Sequence, residues 1–340
     1  MERWKVRRAE GKGLRETTNL PFKTRVLLYV LCVASIASFV VMGCQKKEQT
    51  PAEQQRLQVV TTLFPVYDFT RNVAGDKANI TLLLPPGVEA HSFEPKPGDI
   101  LRINSAGMLI YTGKYMEPWI ENVLKGIDNK NLLVVDASRG IVLRESGDDM
   151  DDHGHKEKHG HGHGKLDPHI WLDMANAQGM VDNILEGLSQ KDPANRNYYT
   201  KNAEAYKAKL DKIDKKYRDA LSSCKQKVFI HGGHFAFGYL ARRYDLHYMS
   251  AYKGSPDAEP TPRRITELKK MLKTYDIKYI YYEELITPRV AEVVSKETGA
   301  VLLKIHGAHN VSKEEMDKGI TFLSIMEDNL KSLQKGLGCL

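Results

Sequence analysis

The chain has 340 residues, 41% of them hydrophobic, enough for one large domain or two ordinary ones. Its net charge of +7 and pI near 9 invite a nucleic-acid reading. Residues 1–43, however, hold eight Lys/Arg against three Glu, so +5 lies there and only +2 on the remainder, and nucleic-acid binding loses its main support.

The basic stretch ends at Arg25 and gives way to the apolar run VLLYVLCVASIASFVVMGC. Residues 1–43 read as an export signal. Val41-Met42-Gly43-Cys44 resembles the lipobox of bacterial lipoproteins, which makes Cys44 the expected site of lipidation. A plain transmembrane anchor is the alternative, since the run is nearly long enough to span a bilayer. Either way the body is expected outside the cytoplasm, as a periplasmic or cell-surface protein. Residues 44–56 are polar after the cysteine and suit a flexible tether. In a compartment that permits disulfides, the remaining pair Cys224 and Cys339 is expected to bond, with two free buried thiols as the alternative.

From residue 57 the pattern is strand, then helix, repeatedly. LQVVTTL (57–63) reads as a buried strand and FPVYDFTRNVAG as a helix closed by glycine. NITLLL (79–84) is a second strand, and PPGVEAHSFEPKP leads to a helix opened by Pro97 with Asp99 in its first turn. GMLIYTG and NLLVVDAS are further strands. This alternation predicts an α/β fold with parallel strands. Residues 148–164 are an Asp- and His-rich run with Gly between the histidines, a composition expected to be disordered without metal and to hold metal weakly through His153, His155, His159, His161 and His163.

Residues 178–224 read as helical, broken at KDPANR, with the second part long enough to be a rod joining two lobes. The first half then recurs in order. KVFIHGGHFAFGYLARRYDL repeats strand–turn–helix, HYMSAYKGSPDAEPTPRRI repeats strand–loop–helix, and Glu259-Pro260-Thr261-Pro262 echoes Glu94-Pro95-Lys96-Pro97. The expected organisation is an N-terminal lobe over 57–177, a helical link over 178–224 and a C-terminal lobe over 225–340.

Open parallel sheets bind ligands at the carboxyl ends of their strands. His91, His169, His231, His234, His306 and His309 all follow predicted strands or the His-rich loop. Together they offer the four ligands that zinc prefers. Imidazole suits zinc over manganese or magnesium. A zinc hydrolase with Glu94 as base is a rival reading, although no H-E-x-x-H is present; a surface adhesin or metal buffer is another.

GVEAHSFEPKP, DPHIWLD, HFAFGYLARRYDL and ETGAVLLKI resemble the signature segments of the metal-binding solute-binding proteins of ABC importers, the zinc/manganese ZnuA-like and TroA-like family, from about Gln58 to the C-terminus. The resemblance implies two Rossmann-like lobes joined by one long backbone helix, with Zn²⁺, or alternatively Mn²⁺, bound in the cleft between them. It implies no catalytic residues, a permease partner, a lipid anchor and a monomer. It carries ligand roles onto His91, His169 and His234, the last of these favouring zinc. By the resemblance the family's fourth place falls on His306, with Glu283, His309 or water as alternatives and His231 if the HGGH turn points the other way.

Overall fold

The computed structural model describes residues 56–147, 166–252 and 260–339. The export signal, Cys44, almost all of the tether and the five histidines between His153 and His163 lie outside the described residues.

The first sheet is built from β1 (Leu57–Thr61), β2 (Ala78–Leu82), β3 (Met108–Tyr111) and β4 (Leu133–Asp136). Helix α1 (Phe64–Ala74) joins β1 to β2, α2 (Pro97–Ser105) joins β2 to β3, and the short α3 (Ile120–Lys125) precedes β4. Pro65 opens α1, and Gly75, at φ +54°, ends it where the sequence predicts. At α2 the Asp99 carboxylate accepts from the Lys96 N–H at 3.0 Å. The strands are all parallel, in the order β2-β1-β3-β4.

An antiparallel pair, β5 (Arg144–Glu145) and β6 (Leu166–Asp167), falls outside this alternation and closes the root of the His-rich run. Two helices follow, α4 (Met174–Lys191) and α5 (Arg196–Ser222). The second sheet holds β7 (Val228–His234), β8 (His247–Tyr252), β9 (Tyr279–Tyr282) and β10 (Val301–Lys304), with α6 (Gly238–Arg243), α7 (Pro262–Thr274) and α8 (Arg289–Thr298) between them. The chain ends in α9 (Lys313–Asp317) and α10 (Phe322–Leu337). The order β10-β9-β7-β8 is again parallel. In each sheet the lobe's first strand lies between its second and third. The two lobes therefore share one topology, as the repeated sequence order implies, and each has a switch point at the carboxyl ends of its central strands.

Helix α5, 27 residues and about 40 Å long, is the backbone. Tyr199, Ala203, Tyr206, Leu210, Ile213, Tyr217 and Leu221 are buried along it, spaced by three or four residues and so forming one stripe. A single apolar cluster runs from Val59 and Ile110 of the first sheet, through this stripe, to Phe229, Tyr281 and Leu303 of the second. Polar contacts reinforce it. Tyr206 Oη donates to the buried Asp68 at 3.0 Å, the Phe322 N–H donates to the same carboxylate at 3.2 Å, and Tyr217 Oη donates to Met326 O at 2.6 Å. Lobes that share a core resist large relative rotation, because each large side chain exposed would cost about 1.5–3 kcal/mol.

Cys224 and Cys339 form a disulfide that ties the end of α10 to the start of the second lobe, across 115 residues of chain. Closing so long a loop constrains the unfolded chain strongly. Replacing both cysteines by serine is expected to lower the stability of the metal-free protein by about 2–4 kcal/mol in urea unfolding. An unchanged midpoint would mean that the packing of Leu330, Leu333 and Leu337 alone holds α10.

Candidate metal centre

Four imidazoles converge where the two lobes meet. His91 sits on the irregular loop between β2 and α2, His169 follows β6, His234 ends β7, and His309 lies on the loop after β10. One potential ligand atom from each lies within 4.8 Å of all the others. His91 is half-buried; the other three are buried.

The ring nitrogens already approach the spacing of a metal shell. His169 Nε2 is 3.2 Å from His91 Nε2 and 3.3 Å from His234 Nε2. Four nitrogens at the usual zinc distance of about 2.0–2.1 Å in a tetrahedron would be about 3.3–3.4 Å apart. His309 adds a buried Nε2 with no hydrogen-bond partner among the described residues. A buried ring nitrogen left unpaired is costly unless something else takes its lone pair. The donor set therefore fits a four-coordinate zinc ion.

Carboxylates stand behind three of the rings. Asp167 Oδ1 lies 2.5 Å from His169 Nδ1 and also accepts from the His169 N–H at 3.1 Å. Glu283 Oε2 lies 2.7 Å from His234 Nδ1, while its Oε1 accepts from the His234 N–H at 3.1 Å. Glu284 Oε1 is 3.8 Å from His309 Nδ1. A carboxylate on Nδ1 fixes the tautomer that leaves Nε2 free to bind metal. For His91 the support is at the backbone, where Glu89 accepts from the His91 N–H at 3.0 Å and the Ser92 N–H at 2.8 Å.

The loops are fastened to one another. Asn310 Nδ2 donates to Pro85 O at 2.7 Å and Val88 O at 2.9 Å, joining the His309 loop to the His91 loop. The Phe64 N–H donates to His309 O at 3.2 Å. A Cβ on Gly307 would lie 2.5 Å from the His309 ring, so glycine is what lets that ring fold back into the centre.

At the fourth position the structure places a different histidine from the one the sequence favours. His91, His169 and His234 are brought together, but His306 does not join them. Its Nδ1 is 3.1 Å from Glu284 Oε1 and 2.9 Å from the Ala308 nitrogen, and its Nε2 lies 3.9 Å from Glu315 Oε2. Burial opposes charge on this ring, yet Glu284 and Glu315 raise its pKa to about 9. The backbone of His306 is pinned on both sides by Asn329. Three residues further on, past Ala308 at φ +59°, the chain has turned so that His309 takes the place instead. Glu283 backs His234 instead of entering the cluster. His231 points elsewhere, with Nδ1 3.2 Å from Tyr248 Oη and 3.1 Å from His234 O.

Fold and site together define a two-lobed, metal-accepting solute-binding protein. The sequence matches the model of the family described as zinc-uptake complex component A, periplasmic (ZnuA), over residues 59–336, and the chain belongs to that family. It is 37% identical over 316 residues to the high-affinity zinc uptake system protein ZnuA of Bacillus subtilis, covering 93% of this chain and 98% of the relative. It is 36% identical over 306 residues to the zinc-binding lipoprotein AdcA of Streptococcus pneumoniae, covering 90% of this chain but only 60% of AdcA. Among solved structures it resembles the metal-dependent lipoprotein YcdH of Bacillus subtilis, with a TM-score of 0.71, 38% identity and coverage of 83% of this chain and 99% of that one. The Zn(II)-bound ZnuA-like domain of Streptococcus pneumoniae AdcA gives a TM-score of 0.70 at 35% identity, with the same coverages.

The electrostatics give metal binding a definite pH dependence. Burial, and then the neighbouring imidazoles, push His91 and His169 well below pH 6.5, so both are neutral at pH 7. Burial also disfavours charge on His234, but Glu283 outweighs it and raises this pKa above 6.5. Metal must displace any proton that His234 carries on its ligand nitrogen. Zinc uptake is therefore expected to release protons, increasingly so toward lower pH, measurable by calorimetry in buffers of different ionisation enthalpy. Affinity should fall as the pH drops through the His234 titration, and more steeply once His91 and His169 protonate. An affinity constant from pH 8 to pH 5 would contradict this.

Proposed function

We propose that the chain is an extracytoplasmic, high-affinity zinc-binding protein that captures Zn²⁺ and delivers it to the permease of an ABC importer. In this reading His91, His169, His234 and His309 are the ligands. The observation that carries it is the convergence of four imidazoles, with nitrogens 3.2 and 3.3 Å apart, in a buried cleft backed by carboxylates. Membership of the zinc-uptake family and its likeness to a zinc-bound neighbour support the same cargo.

Neutral imidazoles favour Zn²⁺ over Mn²⁺, which prefers oxygen. A closed four-nitrogen shell has no open position for an activated water. Asp167 and Glu283 are engaged with ligand rings, which leaves neither as a general base, and Glu94 stands outside the cluster. The protein is accordingly a carrier with no catalytic residues. We take it to act as a monomer, anchored through a lipid on Cys44.

The His-rich run is read as an accessory, weaker zinc collector. It leaves the described fold after Gly147 and re-enters at Leu166, three residues before His169.

Metal analysis and calorimetry of the chain starting after Cys44 test this reading. Wild type is expected to bind one zinc tightly and others weakly, and deleting 148–164 should remove only the weak equivalents. His309→Ala should weaken the tight site about a hundredfold or more, beyond the 10–100-fold usual for an outer partner, whereas His306→Ala should cost about tenfold or less. A silent His309→Ala beside a damaging His306→Ala would reverse the ligand assignment. A tight preference for manganese would defeat the zinc reading.

A further inference from the structure

The segment Asp167–Asp173 carries His169 and follows the first sheet in the chain, but it is fastened to the second lobe. At its start, Tyr239 Oη donates to Asp167 O at 3.2 Å and accepts from the Arg144 N–H at 3.0 Å. In its middle, Trp171 Nε1 donates to Gly307 O at 2.8 Å. At its end, Arg243 Nη1 donates to Asp173 Oδ1 at 2.8 Å. The rest of that guanidinium forks onto Asp214 of α5, with Nε 2.6 Å and Nη2 2.9 Å from the two carboxylate oxygens. Tyr239 and Arg243 stand one turn apart on α6, the helix that follows His234. One short helix behind one ligand therefore grips both ends of the segment that bears another.

Little slack separates these grips. Ile170, Trp171 and Leu172 form a single 3₁₀ turn and are all buried. A shift of Asp173 is therefore passed to His169, whose Nε2 sits only 3.3 Å from His234 Nε2. We infer that Arg243 is a positioning residue for the metal centre, acting through Asp173 to hold His169 in register with His234. His169, His234 and His309 then form one preassembled cup of three imidazoles attached to the second lobe. This rests on the four-imidazole reading above.

The side chains supply variants that separate positioning from folding. Lysine keeps the charge of Arg243 but lacks the planar fork that reaches two carboxylates at once. Asp173 also caps α4, accepting from the Ala175 N–H at 2.8 Å. Asparagine is as good an N-cap, so Asp173→Asn keeps the cap and removes the charge pair with Arg243.

The test uses Arg243→Lys, Asp173→Asn and the double variant of the full chain in detergent, with His169→Ala alongside. Zinc affinity, the visible spectrum of the Co²⁺-loaded protein and the urea midpoint of the metal-free protein are measured for each. Each single variant is expected to weaken zinc binding about tenfold and to shift the Co²⁺ spectrum away from that of wild type. The double variant should be little worse than either single one, because both break one strut. A lowered urea midpoint with zinc affinity and Co²⁺ spectrum unchanged would make the strut merely structural and overturn the inference. If His169→Ala itself left zinc binding intact, the four-imidazole reading would be what had failed.

Discussion

Four imidazoles, three of them buried, whose ligand atoms lie within 4.8 Å of one another cannot all be cations. Two unit charges about 4 Å apart repel by about 4 kcal/mol even at an effective dielectric of 20. The cluster resolves this by keeping His91 and His169 neutral well below the ordinary histidine range. Neutral rings keep a lone pair available for a metal. What destabilises the cluster as a set of cations suits it to hold a single divalent ion.

The rest of the site manages that constraint. Asp167 and Glu283 hold the Nδ1 side of two rings. Glu284 stands between His306 and His309, and also accepts from the Gly307 N–H at 2.8 Å. Its carboxylate is held well below the usual range despite burial, because both imidazoles face it. Asp167, with less cationic company, is pushed by burial up to about 7. The negative charge behind the rings is thus graded, and the incoming cation meets two rings, His169 and His234, whose Nδ1 sides are already engaged. The scaffold keeps them there through the apolar core shared by both sheets and α5.

Much of this was legible in the sequence. Alternating strand and helix signals, the glycine after Ala74, Pro97 and the recurring E-P-x-P loops pointed to two parallel α/β lobes of one order. His91 and His234 stood out because each lies where a parallel sheet presents its loops, and His169 because it follows the His-rich run in DPHIWLD. The fourth ligand position was not decidable in the same way. His306 and His309 are three residues apart in an irregular loop, where no period tells which side chain faces the cleft. The outcome depends on the turn at Gly307 and Ala308 and on the anchoring of His306 by Asn329, a partner 23 residues away in the chain. The supporting carboxylates were equally hidden. Glu283 and Glu284 look like a charged strand end, yet both are buried. A pair of acidic residues closing the apolar strand IKYIYY was the available hint that a cation or imidazoles lay opposite. The Arg243–Asp173–Asp214 strut joins three separate elements and leaves no local pattern.

The central claim is that one zinc ion is held by four imidazoles, His309 among them. X-ray absorption at the zinc edge of the protein lacking residues 148–164 tests it most directly. The account predicts a single shell of about four nitrogens at about 2.0–2.1 Å, with the outer-shell scattering of four imidazole rings, falling to three rings in His309→Ala. Three rings with an added oxygen in the unmutated site, or four rings that persist in His309→Ala and drop in His306→Ala, would contradict it.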